Sequence, residues 1–305
     1  MLSYDQYLMP ESLTEALEIL ADAPEGSQLI AGATDLLPWA REGRAGDVHL
    51  PALIDVTHVS ELAGYQVADG FVRIGATLPY QAFLEDPVLR EHLPCMPFCA
   101  VWFADDQIRQ QATLVGNVIN ASPASDGTPP VLAMDGVVEI ARLVDSKAVR
   151  REVNVSAFLT GPGKTVLEAG EIVTAITCSS MKGYGGSFEK VGQRRSLVIS
   201  AVCVAGLVRA SAAGTHFEDV RLALGGVAPV PIRLTEIETA LKGEAINLEQ
   251  IRRICAQTGD LVASRTRRAY RREVVRGFVE AAIVDALADS GINMNFEDTK
   301  EAANA

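Results

Sequence analysis

The run TLVGNVINASPASDGTPP, residues 113–130, decides how this chain is read. It packs Gly, Asn, Ser, Asp and three prolines between two apolar segments, and its one ionisable side chain is Asp126. It is too polar for a core strand, and its turn residues are too ordered for a disordered linker. Two readings stand at this point. The run is an elaborate turn that caps helices, or it is a loop that wraps a ligand.

The composition around it narrows the choice of ligand. The chain has 305 residues, 48% of them hydrophobic, which is enough for two or three domains with real cores. Its net charge is −12, from 27 Lys+Arg against 39 Asp+Glu. That balance argues against nucleic acid and against an anionic membrane surface, and it suits a small molecule or a protein partner. MLSYDQYLMPES at the start has neither a basic n-region nor an apolar h-region, so no signal peptide is expected. No apolar run reaches the roughly 20 residues of a membrane span. The five cysteines (Cys95, Cys99, Cys178, Cys203, Cys255) are odd in number and scattered, which points to reduced thiols and a cytoplasmic location. Cys203, in VISAVCVAGLV, reads as a small core residue. Cys95 and Cys99 have no second Cys/His pair to complete a metal site, so none is expected.

Ser12 and Glu15 form a capping box ahead of Leu13, Ala16, Leu17 and Leu20, and predict a helix that Ala23–Pro24 ends. SQLIAGA (27–33) reads as a short buried strand entering a turn, and ALIDV (52–56), FVRIGA (71–76), VVEIARLV (137–144) and VTAITC (173–178) as further strands. HLPCMPFCAVWF (92–103) reads as a helix broken by its prolines. From about residue 180 the pattern changes. Segments 185–192, 197–210 and 217–229 predict three long antiparallel strands, and 234–243, 247–260 and 267–291 predict helices that follow them.

Several motifs are absent or false. There is no H-E-x-x-H, no CxxC pair and no G-x-S-x-G, and His49, His58, His92 and His216 are dispersed. GPGKT (161–165) ends like a P-loop, but Phe158 stands where the first glycine belongs. GYGGSF (183–188) does not match the dinucleotide fingerprint. Two segments remain. LIAGATDL (29–36) and ATLVGNVINASPASDG (112–127) each offer successive backbone N–H groups beside small side chains, as phosphate-binding nests do. As plain turns they would be helix caps, with Thr34 and Asp35 capping one helix and Ser125 or Asp126 another.

LIAGATDL, WFADDQIRQQATLVGNVINASPASDGTPPVLAMDG, FEKVGQRR and LALGGVAPVPIRLTEIE, taken in that order, resemble the FAD-binding subunit of molybdenum hydroxylases. This is the group of xanthine dehydrogenase, aldehyde oxidase and carbon monoxide dehydrogenase. The resemblance runs from about residue 4 to about residue 288 and implies an α+β fold. A two-part FAD-binding domain of the vanillyl-alcohol oxidase type is expected as subdomain 1 (1–57) and subdomain 2 (58–179). An α+β C-terminal domain, a three-stranded antiparallel sheet plus helices, is expected over 180–290, and a flexible tail over 291–305.

The same resemblance implies a role in electron transfer. Substrate is oxidised at molybdopterin on a large partner subunit, two [2Fe–2S] clusters on a small partner subunit carry the electrons, and FAD on this chain passes them to NAD⁺, O₂ or another acceptor. By position, Leu29, Ile30, Ala31, Gly32, Ala33, Thr34 and Asp35 would surround the pyrophosphate. Gly116, Asn117, Asn120, Ser125 and Asp126 would form the second loop, with Ser125 and Asp126 on the ribityl–adenosine side. Phe103 and Ala104 would pack against the flavin, Ile172 and Val173 would flank it, and Lys190 would stand beside the ring. A cation there favours the reduced flavin, which carries negative charge. Without the resemblance Lys190 reads as a solvated strand residue, Phe103 as core, and Arg194 and Arg195 as partners of surface carboxylates.

Two departures matter. Val115 replaces the first glycine of the relatives' Gly-Gly-Asn, and a β-branched residue disfavours positive φ. Ala33 stands where some relatives carry Gly or Asn. No catalytic side chain and no metal ligand is assigned to this chain. Two other readings remain: a self-sufficient FAD oxidoreductase of the vanillyl-alcohol oxidase class, and a scaffold subunit that has lost FAD.

Overall fold

The computed structural model of the protein describes residues 2–41, 48–194, 197–263 and 266–294. Of the tail expected over 291–305, residues 295–305 lie outside the described residues, as does Arg195. The chain forms two compact units. The first comprises residues 1–86, 103–122 and 135–180, and the second 87–102, 123–134 and 181–305.

The first unit holds two sheets and a small hairpin. Strands β1 (Leu2–Leu8), β2 (Gln28–Ile30) and β3 (Val48–Asp55) form a parallel sheet in the order β1-β3-β2. Leu53 and Ile54 are neighbours on β3 and both are buried, as expected of a central parallel strand covered on two faces. β1 gave no sequence signal because most of its side chains are exposed; its ladder with β3 is what makes it a strand. The helix Leu13–Asp22 crosses from β1 towards β2. Its Ser12 Oγ accepts the Glu15 N–H at 3.2 Å. The reciprocal bond of the capping box lands one residue early, with the Glu15 carboxylate taking the Glu11 N–H at 2.8 Å.

The second sheet contains β4 (Tyr65–Ala68), β5 (Phe71–Gly75), β6 (Val137–Val144) and β7 (Lys147–Asn154). The hairpin β8 (Leu159–Gly161) and β9 (Lys164–Thr165) follows, and then β10 (Glu171–Ser179). β10 enters the middle of this antiparallel sheet, in the order β4-β5-β10-β6-β7. The P-loop-like GPGKT is the β8–β9 turn, with Gly163 at φ +66°.

The second unit is built on β11 (Gly185–Val191), β12 (Val202–Ala210), β13 (Phe217–Gly225) and β14 (Ile232–Arg233), antiparallel in that order. β14 is a two-residue addition to the three strands expected. The helix Arg268–Asp289 covers one face. Val275, Val279, Ile283 and Leu287 recur every four residues along it and bury against Val202, Val204, Val208, Leu222 and Leu224. Each such side chain contributes about 1.5–3 kcal/mol. The helix sits unusually close to the sheet at Gly185, where a Cβ would fall 1.9 Å from the Ala286 carbonyl oxygen. The helix expected over 92–103 is two helices, Pro87–His92 and Met96–Trp102, with Pro94 in the break.

Alternation along GGSFEKV sorts the residues of β11. Gly185, Ser187 and Glu189 face the long helix: Ser187 Oγ donates to the Ala282 carbonyl at 2.6 Å, and Glu189 hydrogen-bonds Asp285. Gly186, Phe188 and Lys190 take the other face, where Pro94 and Cys95 crowd Gly186.

Burial and the Asp285 carboxyl push Glu189 up to about 7, from 4.5 when unperturbed. The folded protein therefore holds this proton more tightly than the unfolded chain. The stabilisation is complete below about pH 4.5 and is lost as pH rises through about 7. Glu189→Gln is expected to flatten the thermal midpoint against pH over that interval and to raise it at pH 8. Calorimetry of both proteins across the interval checks this.

Candidate functional site

In the first unit, β2 runs into the turn Ala31–Asp35 ahead of the helix Leu36–Arg41. At Gly32 a Cβ would lie 1.9 Å from the Gln111 carbonyl oxygen and 2.5 Å from its carbon, so only glycine fits. The two segments singled out by sequence thus meet backbone on backbone. The next residue, Ala33, has φ +52°, and Ala104 has φ +50°. An L-residue pays roughly 1–2 kcal/mol for that left-handed conformation. A left-handed residue after one that is not left-handed turns successive N–H groups to one side, the geometry of an anion nest. Among the described residues, the N–H groups of Ala31, Gly32, Ala33, Thr34 and Asp35 have no protein acceptor. Partial burial raises the Asp35 pKa. Leu29 and Ile30 precede the turn on β2, paired with Ile54 and Asp55.

The second segment differs from expectation over its first half. Residues Leu114–Ile119 form a helix capped by Thr113, whose Oγ1 accepts the Gly116 N–H at 3.0 Å. The Asn117 N–H goes to the Thr113 carbonyl and the Asn120 N–H to the Gly116 carbonyl, both at 3.0 Å. The Gly116, Asn117 and Asn120 N–H groups are committed to the cap and the helix, while among the described residues those of Leu114 and Val115, in the first turn, have no protein acceptor. Asn117 and Asn120 offer side chains instead. Val115 lies inside this helix, buried and without positive φ, so a glycine is not required at its position.

Tyr80 was not singled out by sequence, yet it joins several of these residues. Its ring stacks on Phe103 with centroids 3.9 Å apart and planes 5° apart. Its hydroxyl donates to Asn117 Oδ1 at 3.1 Å. Its N–H donates to the Ala112 carbonyl at 2.9 Å. Arg109, also unforeseen, is buried and donates to the Phe103 carbonyl at 2.9 Å, to Gln81 and to Asp106. Ile172 and Val173 are both buried on β10. As strand neighbours they point to opposite faces of the sheet.

Ser125, Asp126 and Lys190 belong to the second unit. There Lys190 is not the solvated residue its type suggests: Lys190 and Asp126 side chains are only 3% and 10% exposed, with Nζ and Oδ2 2.5 Å apart. Ser200 Oγ donates to the other Asp126 oxygen at 2.6 Å, Lys190 Nζ also reaches the Trp102 carbonyl at 3.4 Å, and Cys99 Sγ donates to the Asp126 carbonyl at 3.3 Å. Burial pushes the Asp126 carboxyl up, while Lys190 and Ser200 pull it down, leaving it raised. Neither Ser125 nor Asp126 is the helix cap. Gly127 occupies the position before Thr128–Ala133, and Ser125 Oγ accepts from Thr128 Oγ1 at 2.9 Å. Arg194 differs too: its guanidinium binds the Leu197 carbonyl rather than a carboxylate. All five cysteines are buried and outside any disulfide.

Removing one member of a buried pair leaves the other charge uncompensated, which costs roughly 3–5 kcal/mol. Lys190→Met and Asp126→Leu are each expected to destabilise by about that much. The double variant should lose less than the sum, because it strands no charge. Urea unfolding of the four proteins measures the coupling.

Comparison with known proteins agrees with this architecture. The profile of the FAD binding domain in molybdopterin dehydrogenase matches residues 2–178, and that of the CO dehydrogenase flavoprotein C-terminal domain matches 187–286. The xanthine dehydrogenase FAD-binding subunit of Escherichia coli O157:H7 is 30% identical over 298 residues, covering 95% of this chain and 99% of its own. The carbon monoxide dehydrogenase medium chain of Hydrogenophaga pseudoflava is 28% identical over 247 residues, 81% of this chain and 83% of its own. A solved structure of carbon monoxide dehydrogenase from H. pseudoflava, lacking the Mo-pyranopterin moiety of the molybdenum cofactor, superposes with a TM-score of 0.83 at 25% identity. It covers 93% of this chain and 97% of that one. With the first profile spanning more than half of the sequence and a relative this similar over almost all of it, the chain belongs to the family of FAD-binding medium subunits of molybdenum hydroxylases.

Proposed function

We propose that this chain is the FAD-binding electron-transfer subunit of a heteromeric, molybdopterin-dependent hydroxylase or dehydrogenase of the xanthine dehydrogenase kind. Electrons reach it from the [2Fe–2S] clusters of a small partner subunit, after substrate oxidation at molybdopterin on a large one. They leave to NAD⁺, O₂ or another acceptor. The complex is cytoplasmic; among the described residues no helix is long and apolar enough to cross a membrane.

The observation that carries this reading is the run of N–H groups from Ala31 to Asp35 without protein acceptors among the described residues, held against Gln111 by Gly32. Such a run fits a pyrophosphate, which needs many donors and no particular cation. Bound FAD supplies two-electron redox chemistry that no side chain here provides. The chain's own residues bind and orient. Leu29, Ile30, Gly32, Ala33 and Thr34 shape the first loop, while Asn117 and Asn120 contribute side-chain hydrogen bonds. Phe103 and Ala104 provide apolar surface for a ring system, while Ile172 and Val173, on opposite faces of β10, flank it through the strand backbone. Ser125, Asp126, Gly116 and Lys190 complete the assigned set, with Lys190 and Asp126 acting as a neutral pair that fixes the segment holding Ser125. Val115, which alone hinted at a scaffold without FAD, sits in an ordinary helix and no longer supports that reading.

The test uses the left-handed position 33. Asn and Asp both tolerate that conformation, but only Asp adds charge beside a pyrophosphate. Ala33→Asn should keep its FAD, while Ala33→Asp should lose FAD affinity by at least about tenfold, the ratio expected for 1.4 kcal/mol of repulsion. Flavin absorbance after dialysis reads the difference. Purification with bound partners, together with molybdenum and iron analysis, tests the assembly. A folded wild-type chain that takes up no FAD would overturn the proposal.

A further inference from the structure

We propose that Tyr80 is the positioning residue of the flavin-binding side of this site; the inference rests on the FAD reading above. Tyr80 is completely buried in the first unit. It touches two of the residues assigned to the cofactor, which lie 23 and 37 positions away in sequence. Each contact fixes one degree of freedom. Stacking with planes 5° apart sets the tilt of the Phe103 ring, which is otherwise half-exposed. The hydroxyl donated to Asn117 Oδ1 requires the amide oxygen on that side and so helps to fix the sense of the amide.

Tyr80 is itself held from three sides. Its N–H is bonded to the Ala112 carbonyl, Phe83 packs edge-on against its ring at 6.0 Å and 72°, and the neighbouring Gln81 N–H reaches the Arg109 carbonyl at 3.1 Å. Arg109 in turn holds the Phe103 carbonyl. Phe103 is thus fixed at its backbone by Arg109 and at its ring by Tyr80. A residue that only filled core would need neither the parallel stack nor the hydroxyl contact. Leucine or phenylalanine would serve that purpose, without the cost of burying an O–H.

Two substitutions separate the contacts. Tyr80→Phe keeps the ring and removes the hydroxyl; Tyr80→Leu removes both. In the full chain, stripped of flavin and titrated with FAD, Tyr80→Phe should weaken binding about three- to tenfold, as expected for one net hydrogen bond, with the flavin absorption band unmoved. Tyr80→Leu should weaken binding further, move the absorption maximum and shift the flavin midpoint potential, because Phe103 loses its seat. A merely structural role would instead lower the thermal midpoint of the flavin-free chain and leave affinity, spectrum and potential as in the wild type. That result would overturn the proposal. Should Tyr80→Leu fail to fold, Phe103→Leu reads the same ring contact, and an unchanged spectrum and potential there would also overturn it. Wild-type protein that binds FAD while both Tyr80 variants match it overturns the role of Tyr80 alone. Wild-type protein that binds none overturns the FAD reading as well.

Discussion

The first unit depends on one contact without clearance, the Gly32 Cα against the Gln111 carbonyl. Any side chain at 32 would drive the two backbones apart. The contact sets where the chain turns after β2, and it puts Ala33 in a conformation an alanine adopts only at a cost. Strain of this kind persists where surrounding structure over-determines it, and it concentrates at binding sites. Along this short arc the N–H groups have no protein acceptor among the described residues.

The second unit solves a different problem. Strict alternation on β11 places a lysine on a buried face, because Glu189 and Ser187 must meet the long helix. A buried ammonium is tolerable only if paired and hydrogen-bonded. Asp126, Ser200 and the Trp102 carbonyl meet that need. Their meeting also ties the 123–127 segment, the Met96–Trp102 helix and the strand β11 to one point. The polar character of the opening run has two separate causes in consequence. Its first half is a capped helix and its second half is an ion-pair anchor.

Much of this was legible where the signal is local. The Ser12 cap, the strands β3, β5, β6, β12 and β13, and the long C-terminal helix all follow from patterns within a few residues of sequence. The two segments proposed to hold the cofactor stood out for their glycines and small polar residues, and the order of motifs placed the chain in its family. What stayed hidden depends on distant partners. β1 buries little of either face and is made by its ladder. Lys190 has the type of an exposed residue and is buried by an aspartate 64 positions away. Tyr80 in TLPYQAF looks like any core aromatic until Phe103 and Asn117 are seen beside it. One local signal was there to be used: Thr113 is a residue type that caps helices, and the helix it starts explains why Val115 is acceptable.

In the proposed function the backbone from Ala31 to Asp35 holds the cofactor. Hydrogen–deuterium exchange on the wild-type chain, with and without saturating FAD, addresses those amides directly. The amides of 31–35, open in the flavin-free chain, are expected to become strongly protected when FAD binds, while those of Asn117 and Asn120, already bonded within the helix, change little. FAD bound at one per chain with exchange at 31–35 unchanged would contradict this.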